Sequence, residues 1–338
     1  MVHVGGTSVR MKIYFAPLEG VTTYIFRNAF SEIYGHVDKY FAPFISPADN
    51  CPLTPRERKD IDPENNKGIY LVPQILTCRS EHFIEAAKEL HTMGYNEVNL
   101  NLGCPSGTVC AKGKGAGFLQ NTEALQSFLS AIYSYAESDG MKISVKTRLG
   151  YREPEEFYEL MEIFNLFPIS ELIVHPRIRT DFYKGDIRKE YFAYALEHSK
   201  CPLVYNGNIF TPDDYKKFST SFGSSLDPIM LGRGLVSDPD LASTLKDTSE
   251  KTSSDVSSPT SATDFTKLRR FHDTLYHEYQ KILSPDINVL HKMRELWTYW
   301  QVLFDGKERD IKHLMKAKKY EDYEAIVYPL LQAEERST

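Results

Sequence analysis

Pro228-Ile229-Met230-Leu231-Gly232-Arg233-Gly234 is the last of eight short apolar runs, and it decides the architecture. A strand-like segment stops at a glycine, and Arg233 then stands between two residues without side chains. Working back along the chain, seven similar runs precede it: Ile13–Phe15, Lys39–Phe44, Tyr70–Gln74, Glu97–Asn101, Ile143–Thr147, Glu171–Val174 and Leu203–Asn206. Helical patterns separate them. Ser80 is expected to cap a helix that reaches Met93 and stops at Gly94. Asn121 caps another, with Ala124, Leu125, Phe128, Leu129 and Ile132 on one face. Pro154 stands near the start of a third, and Thr211-Pro212 opens a fourth. Eight strand–helix units in succession read as an α/β fold, a (β/α)8 TIM barrel. The even spacing favours closure over a doubly wound sheet.

Composition agrees with a globular enzyme. Of 338 residues, 41% are hydrophobic and 25% charged, which excludes a chain disordered throughout, a collagen or a coiled coil. No apolar run approaches the ~20 residues of a membrane span. Met1 to Arg10 lacks the apolar core of a signal peptide, and residues 1–10 read as an N-terminal extension. Five scattered cysteines form no C-x-x-C, and the spacing of Cys104 and Cys110 fits no common zinc site. The expectation is a reduced, cytoplasmic monomer with no metal and no membrane association.

Residues 11–245 then form the barrel. Residues 246–264, rich in Ser, Thr and Asp, read as a linker or exposed loop. Residues 265–338 form a small all-α domain. One apolar stripe runs through Leu268, Phe271, Leu275, Tyr276 and Tyr279. Pro285 separates it from a second, through Val289, Met293, Leu296, Trp297 and Trp300. The net charge of -6 argues at first against a nucleic-acid partner. Its distribution does not: Phe265 to Lys319 carries 12 Lys and Arg against 7 Asp and Glu, while the rest of the chain carries 28 against 39. A basic segment on an acidic body can hold a polyanion, or it can be a solvated helical surface.

In a barrel, chemistry gathers where strands end. The first strand ends in Ala16-Pro17-Leu18-Glu19-Gly20-Val21-Thr22, a turn that lets backbone approach a flat ligand, though alone it is only a turn. The third ends in Gln74, an amide that both donates and accepts. The fifth ends in Lys146-Thr147-Arg148, where an inward Lys calls for an anionic or electron-rich partner. The sixth ends in His175-Pro176-Arg177, where His175 is either a donor at the mouth or a satisfied core residue. Asn206-Gly207-Asn208 and Gly232-Arg233-Gly234 end the seventh and eighth, the usual place for a phosphate in such barrels. The fourth ends in Asn99-Leu100-Asn101-Leu102-Gly103-Cys104-Pro105, followed by a long Gly-rich loop to Gly117 that is expected to reshape around a ligand. Cys104, with an ordinary thiol pKa of ~8.5, is either a weak acid at the mouth or an inert buried thiol.

Taken together, these motifs, with Val145-Lys146-Thr147-Arg148 and Ile209 after Asn208, resemble the tRNA-dihydrouridine synthases from Met11 onward. That resemblance implies an FMN-binding barrel followed by a helical tRNA-binding domain. It implies that Pro17, Leu18, Glu19, Gln74, Lys146, His175, Asn206, Gly207, Asn208, Gly232 and Arg233 line FMN. Lys146 would stabilise the negative charge of the reduced flavin. NADPH would reduce FMN, hydride would pass from flavin N5 to C6 of a D-loop uracil in tRNA, and Cys104 would protonate C5. Asn101 would help hold the uracil, Arg177 would meet the substrate, and Lys292 and Arg294 would meet the tRNA from the exposed flank of their helix. The chain departs from many members at Asn208, where an acidic residue is common, at Pro176, where Gly is common, and in a longer Ser/Thr-rich stretch. Two other readings compete. One is an FMN barrel oxidoreductase acting on a free pyrimidine, like a dihydroorotate dehydrogenase, which would not need the basic helices. The other is a non-catalytic RNA-binding protein, which would not need Cys104 and Lys146 together.

Overall fold

The computed structural model of the protein describes residues 11–222, 226–250 and 263–335, so the expected extension at residues 1–10 lies outside the described residues. Among the described residues, nine strands form one sheet: β1 Ile13–Phe15, β2 Lys39–Phe41, β3 Leu71–Val72, β4 Gln74–Ile75, β5 Glu97–Leu102, β6 Lys142–Gly150, β7 Leu172–Ile178, β8 Leu203–Asn206 and β9 Ile229–Leu231. All pair in parallel, in the order β3-β2-β1-β9-β8-β7-β6-β5-β4. The two ends of that order, β3 and β4, are one run of chain interrupted at Pro73, which has no N–H for a ladder. Hence the single strand expected over Tyr70–Gln74 is two short ones. Ile45 donates its N–H to the Gln74 carbonyl and accepts from the Leu76 N–H, which carries the pairing across the break. The barrel is closed there, as a TIM barrel requires.

Side chains alternate along each strand, so every second residue enters the barrel. Tyr14, Ala16, Phe41, Val72, Ile173, Val204 and Met230 fill the interior as one apolar cluster. Below it, Lys39 pairs with Glu97 at 3.1 Å and Glu171 at 2.7 Å, and Tyr70 and Tyr14 donate to those two carboxylates. That network closes the bottom and leaves the top for the site.

β6 and β7 run further than the apolar pattern indicates. They extend to Gly150 and Ile178, with a bulge between Arg148 and Gly150. Arg148, His175 and Arg177 therefore stand on strands, not in the loops after them, and Lys146 stands on its strand as expected. Ser80 is the first residue of its helix, and Arg79 takes the cap position without a side-chain bond. Asn121 does cap its helix, accepting from the Ala124 N–H at 3.0 Å.

The Ser/Thr-rich segment begins and ends in regular structure. Lys246 to Glu250 complete a helix, Leu241–Glu250, and the buried Lys246 ammonium reaches Asp38 at 2.7 Å. Asp264 caps the next helix, Phe265–Ile282, by accepting from the Lys267 N–H. Residues 251–262 lie outside the described residues. Both apolar stripes of the helical segment are buried as expected. Phe271 meets Phe26, Phe30 and Tyr34 of the helix Tyr24–Ile33 and its C-cap, with ring centroids 5.3, 6.1 and 5.4 Å apart. The helical segment thus packs on the first helix of the barrel, beside the loop that follows β1.

Candidate active site

A cavity of about 330 Å³ opens at the C-terminal end of the barrel. Pro17, Leu18, Glu19, Gln74, Lys146, His175, Asn206, Gly207, Asn208, Gly232 and Arg233 all line it, together with Asn101 and Cys104. Register explains the gathering. Gln74 lies opposite Asn99, Asn99 opposite Ser144, Asn101 opposite Lys146 and Arg148 opposite His175. In parallel strands, paired residues face the same side, so these polar groups gather at one end of the barrel.

They are held by a directional chain of buried hydrogen bonds. Ser144 Oγ donates to the Val98 carbonyl and accepts from Asn99 Nδ2. Asn99 Oδ1 accepts from Gln74 Nε2, and Gln74 Oε1 accepts from Asn101 Nδ2. Asn101 Oδ1 accepts from the backbone N–H groups of Gly103 and Cys104 at 3.0 and 2.9 Å. The chain sets which way each amide faces and ends on the backbone of Cys104. From the other side, Arg148 Nε donates to the Gly103 carbonyl at 2.8 Å, and Arg179 Nε to the Pro105 carbonyl at 3.1 Å. The glycines of the loop serve packing. A Cβ at Gly117 would lie 2.6 Å from the Cys110 carbonyl oxygen, and one at Gly115, where φ is +57°, 2.8 Å from that of Cys104. The loop is folded tightly on itself at these two positions.

The mouth is strongly cationic. Burial, then the neighbouring Arg148, pushes the Lys146 ammonium down to about 7. Among the described residues, no carboxylate pairs with it. His175 is held well below its ordinary value by burial and by Arg148, Lys146, Arg177 and Arg233, so it is neutral. Arg177 lies 3.1 Å from His175 Nε2 and can only donate, which puts the imidazole proton on Nδ1. Arg233 donates to Asn208 Oδ1 at 3.0 Å and lies near the rings of Tyr183 and Phe210, 5.0 and 5.4 Å from their centroids. Burial raises the Cys104 thiol, which keeps its proton at neutral pH. Cys110 is buried and donates its own S–H to the Cys104 carbonyl.

This arrangement fits a phosphorylated, electron-rich cofactor. Lys146, Arg148 and Arg233 line one cavity. Gly232 lets the backbone close in, since a Cβ there would lie 3.3 Å from Ala16 and 3.4 Å from Leu18. Lys146 faces the cavity without a protein counter-charge, a costly state unless a ligand supplies one.

Three residues named from the sequence lie elsewhere. Arg177 is 1% exposed, with its guanidinium spent on the Gly185 carbonyl, His175 and Asn208, so it supports the mouth from behind. Lys292 donates to the Gly20 carbonyl and stands 3.6 Å from Glu295. Arg294 donates to the carbonyls of Leu290 and Met315 within the helical segment. Neither is on the open flank expected for it; both are half-buried. Conversely, Arg148, Tyr183, Phe210, Glu295 and Tyr299 also line the cavity, beyond the residues expected to line it. Arg148 was signalled by its two-residue separation from Lys146, which puts both on one strand face. Glu295 and Tyr299 share a helix face, but only the docking of that helix brings them to the site.

The dihydrouridine synthase family model matches residues 14–327. A tRNA-dihydrouridine(16) synthase of Ralstonia nicotianae is 26% identical over 280 residues, 80% of this chain and 84% of the relative. One of Pseudomonas syringae pv. tomato is 30% identical over 237 residues, 69% of this chain and 74% of the relative. A probable tRNA-dihydrouridine synthase of Staphylococcus aureus is 28% identical over 275 residues, 79% of this chain and 77% of the relative. With the barrel, its cationic mouth and Cys104 in place, these matches identify the chain as an enzyme of the dihydrouridine synthase family.

Proposed function

We propose that the enzyme reduces a D-loop uridine of tRNA to 5,6-dihydrouridine in the cytoplasm, as a monomer, with FMN in the mouth cavity and NADPH as reductant. The observation that carries this reading is the meeting of a protonated thiol, Cys104, with the unpaired cation Lys146 in one cavity. Arg233, Asn208 and the backbone at Gly207 and Gly232 would hold the cofactor phosphate. Pro17, Leu18, Glu19, Gln74, His175 and Asn206 would enclose the rest. Bound there and reduced, FMN would supply the hydride for C6 of the uracil.

The chain's own residues do the remaining work. Cys104 holds a proton on Sγ and gives it to C5 of the uracil. A thiol kept protonated by burial is suited to that step, and general acid catalysis of this kind contributes about 10²–10⁴-fold. Asn101 fixes the Cys104 backbone through Oδ1 and retains one N–H for a uracil carbonyl. Lys146 regains its full charge when an anionic group lies beside it, and so stabilises that group. A uracil inside folded RNA must leave its stack to enter the mouth, at a cost of roughly a few kcal/mol. Contacts between the helical segment and the RNA backbone offset that cost.

The test is a map of dihydrouridine in tRNA from cells lacking this protein. One position should lose the modification, regain it with the wild-type gene and stay unmodified with Cys104→Ala. An unchanged map overturns the proposal. Turnover of free uridine in preference to tRNA would point to a free-pyrimidine oxidoreductase, and a protein that takes up no flavin to an RNA-binding role alone.

A further inference from the structure

A second cavity, of about 740 Å³, adjoins the first. The two share Glu19, Pro43 and Phe44 in their walls, so they lie side by side. On one side the second cavity is bounded by the helix Pro55–Ile61, and on the other by the end of the helix Phe265–Ile282. Its wall carries the rings of Tyr24 and Phe44 and the apolar side chain of Ile282, which is 45% exposed.

The charges of this wall divide into two kinds. The acidic ones are largely committed to the fold. Glu57 accepts from Ser46 N–H and from Thr54 N–H and Oγ, while Asp60 accepts from the Tyr24 N–H and pairs with Arg27 at 3.1 Å. Glu19 stands where the two cavities join. Arg56 and Lys59 are exposed, and among the described residues no carboxylate lies within ion-pair distance of either, although Arg56 is the main charge that favours ionised Glu19. Lys59 Nζ lies over the Tyr24 ring, 5.9 Å from its centroid, so one face of that ring carries the cation and the other is left for a base. Half-exposed rings next to exposed cations suit one chemistry above others: a base that stacks, joined to a phosphate that pairs.

We infer that this groove is a subsite for the RNA nucleotide next to the reduced uridine, its base against Tyr24 and Phe44 and its phosphate between Arg56 and Lys59. The inference rests on the proposed reaction for the identity of the neighbouring base, and it goes beyond that reading by assigning specificity to residues of the barrel. A single flipped base fills the mouth, and the strand that carries it must continue somewhere. The second cavity is the continuation, and it reads the flanking nucleotide by stacking and charge.

The experiment measures tRNA affinity across a salt series, without turnover, for wild type, Arg56→Ala with Lys59→Ala, and a control, Lys216→Ala with Lys217→Ala. The control removes the same charge from an exposed barrel helix away from the groove. The groove variant should bind tRNA about ten-fold more weakly. Its log–log salt slope should fall by about 0.7, the value for one single-strand phosphate that is no longer neutralised. FMN content and the rate of flavin reduction by NADPH should match wild type, and the control should stay within about two-fold in affinity. Tyr24→Leu, which keeps an apolar side chain but removes the ring face, should weaken binding several-fold with no change in slope. Groove and control variants that behave alike overturn the inference. So does a raised KM for NADPH with tRNA affinity intact, which would make the groove a dinucleotide site. An enzyme that binds tRNA through the groove but forms no dihydrouridine overturns the proposed reaction and leaves the groove standing.

Discussion

Lys292 Nζ lies 2.6 Å from the carbonyl oxygen of Gly20, so a residue of the helical segment holds the loop that follows β1. That loop contributes Pro17, Leu18 and Glu19 to the mouth. Lys292→Ala is therefore expected to loosen the cofactor site as well as any contact with RNA. A charge-assisted hydrogen bond contributes about 1.5–3 kcal/mol, less where it is partly solvated. FMN affinity should fall about three- to ten-fold in a fluorescence titration. An unchanged affinity would show that the β1 loop holds its shape without the tether. Arg294→Ala, confined to the helical segment, should leave FMN binding alone.

Arg233→Ala should weaken FMN retention by about ten-fold or more, since it removes a charge-assisted phosphate contact. Asn208→Ala should show a smaller effect in the same direction, because its side chain orients the guanidinium. The check is flavin content after dialysis, followed by titration. Full retention by Arg233→Ala would remove Arg233 from the phosphate site.

Cys104→Ala should keep FMN and be reduced by NADPH at the wild-type rate, yet form dihydrouridine at least about 10²-fold more slowly. Cys110→Ala is the matched control. Its thiol is buried and bonded to the Cys104 carbonyl, so it does not stand in as the acid. Single-turnover assays with prereduced enzyme separate the two steps. Near wild-type product formation by Cys104→Ala would end the assignment.

Lys146 links stability to pH. Its folded pKa is depressed to about 7, whereas an unfolded lysine titrates near ~10.4. Between those values the unfolded chain binds more protons, so stability rises with pH. The destabilisation is therefore greatest below about 7 and fades as pH rises towards the unfolded value. Flavin-free wild type should gain stability relative to Lys146→Met between pH ~7 and ~10, in denaturant melts at each pH. Parallel curves for the two proteins would mean that Lys146 is fully charged in the fold.

Much of this was legible in the residues themselves. Eight apolar runs with glycine and amide punctuation point to a parallel barrel, because alternation and spacing are local properties of the chain. The gathering of Gln74, Asn101, Lys146, His175, Asn206 and Arg233 follows once the strands are named, since strand ends converge in any such barrel. Cys104 belongs with them because it ends the fourth unit. Where strands stop was less legible. β6 and β7 continue past their apolar cores, held by pairing of Arg148 with His175 rather than by hydrophobicity.

What the sequence alone determined was the closed barrel, the two apolar stripes of the helical segment and the set of polar side chains at the mouth. The first two follow from periodicity, a one-dimensional signal, and the third from where the strands end, together with the resemblance. Tertiary structure alone decided which charges are free. Lys292 and Arg294 read as surface cations, but both are consumed by backbone carbonyls, and Arg177 is buried behind Asn208. Arg56 and Lys59, unremarkable in sequence, stand exposed beside the site without an ion-pair partner among the described residues. The reason is physical: a charge acts according to its distance from partners and from water, and those distances are set only when distant segments pack.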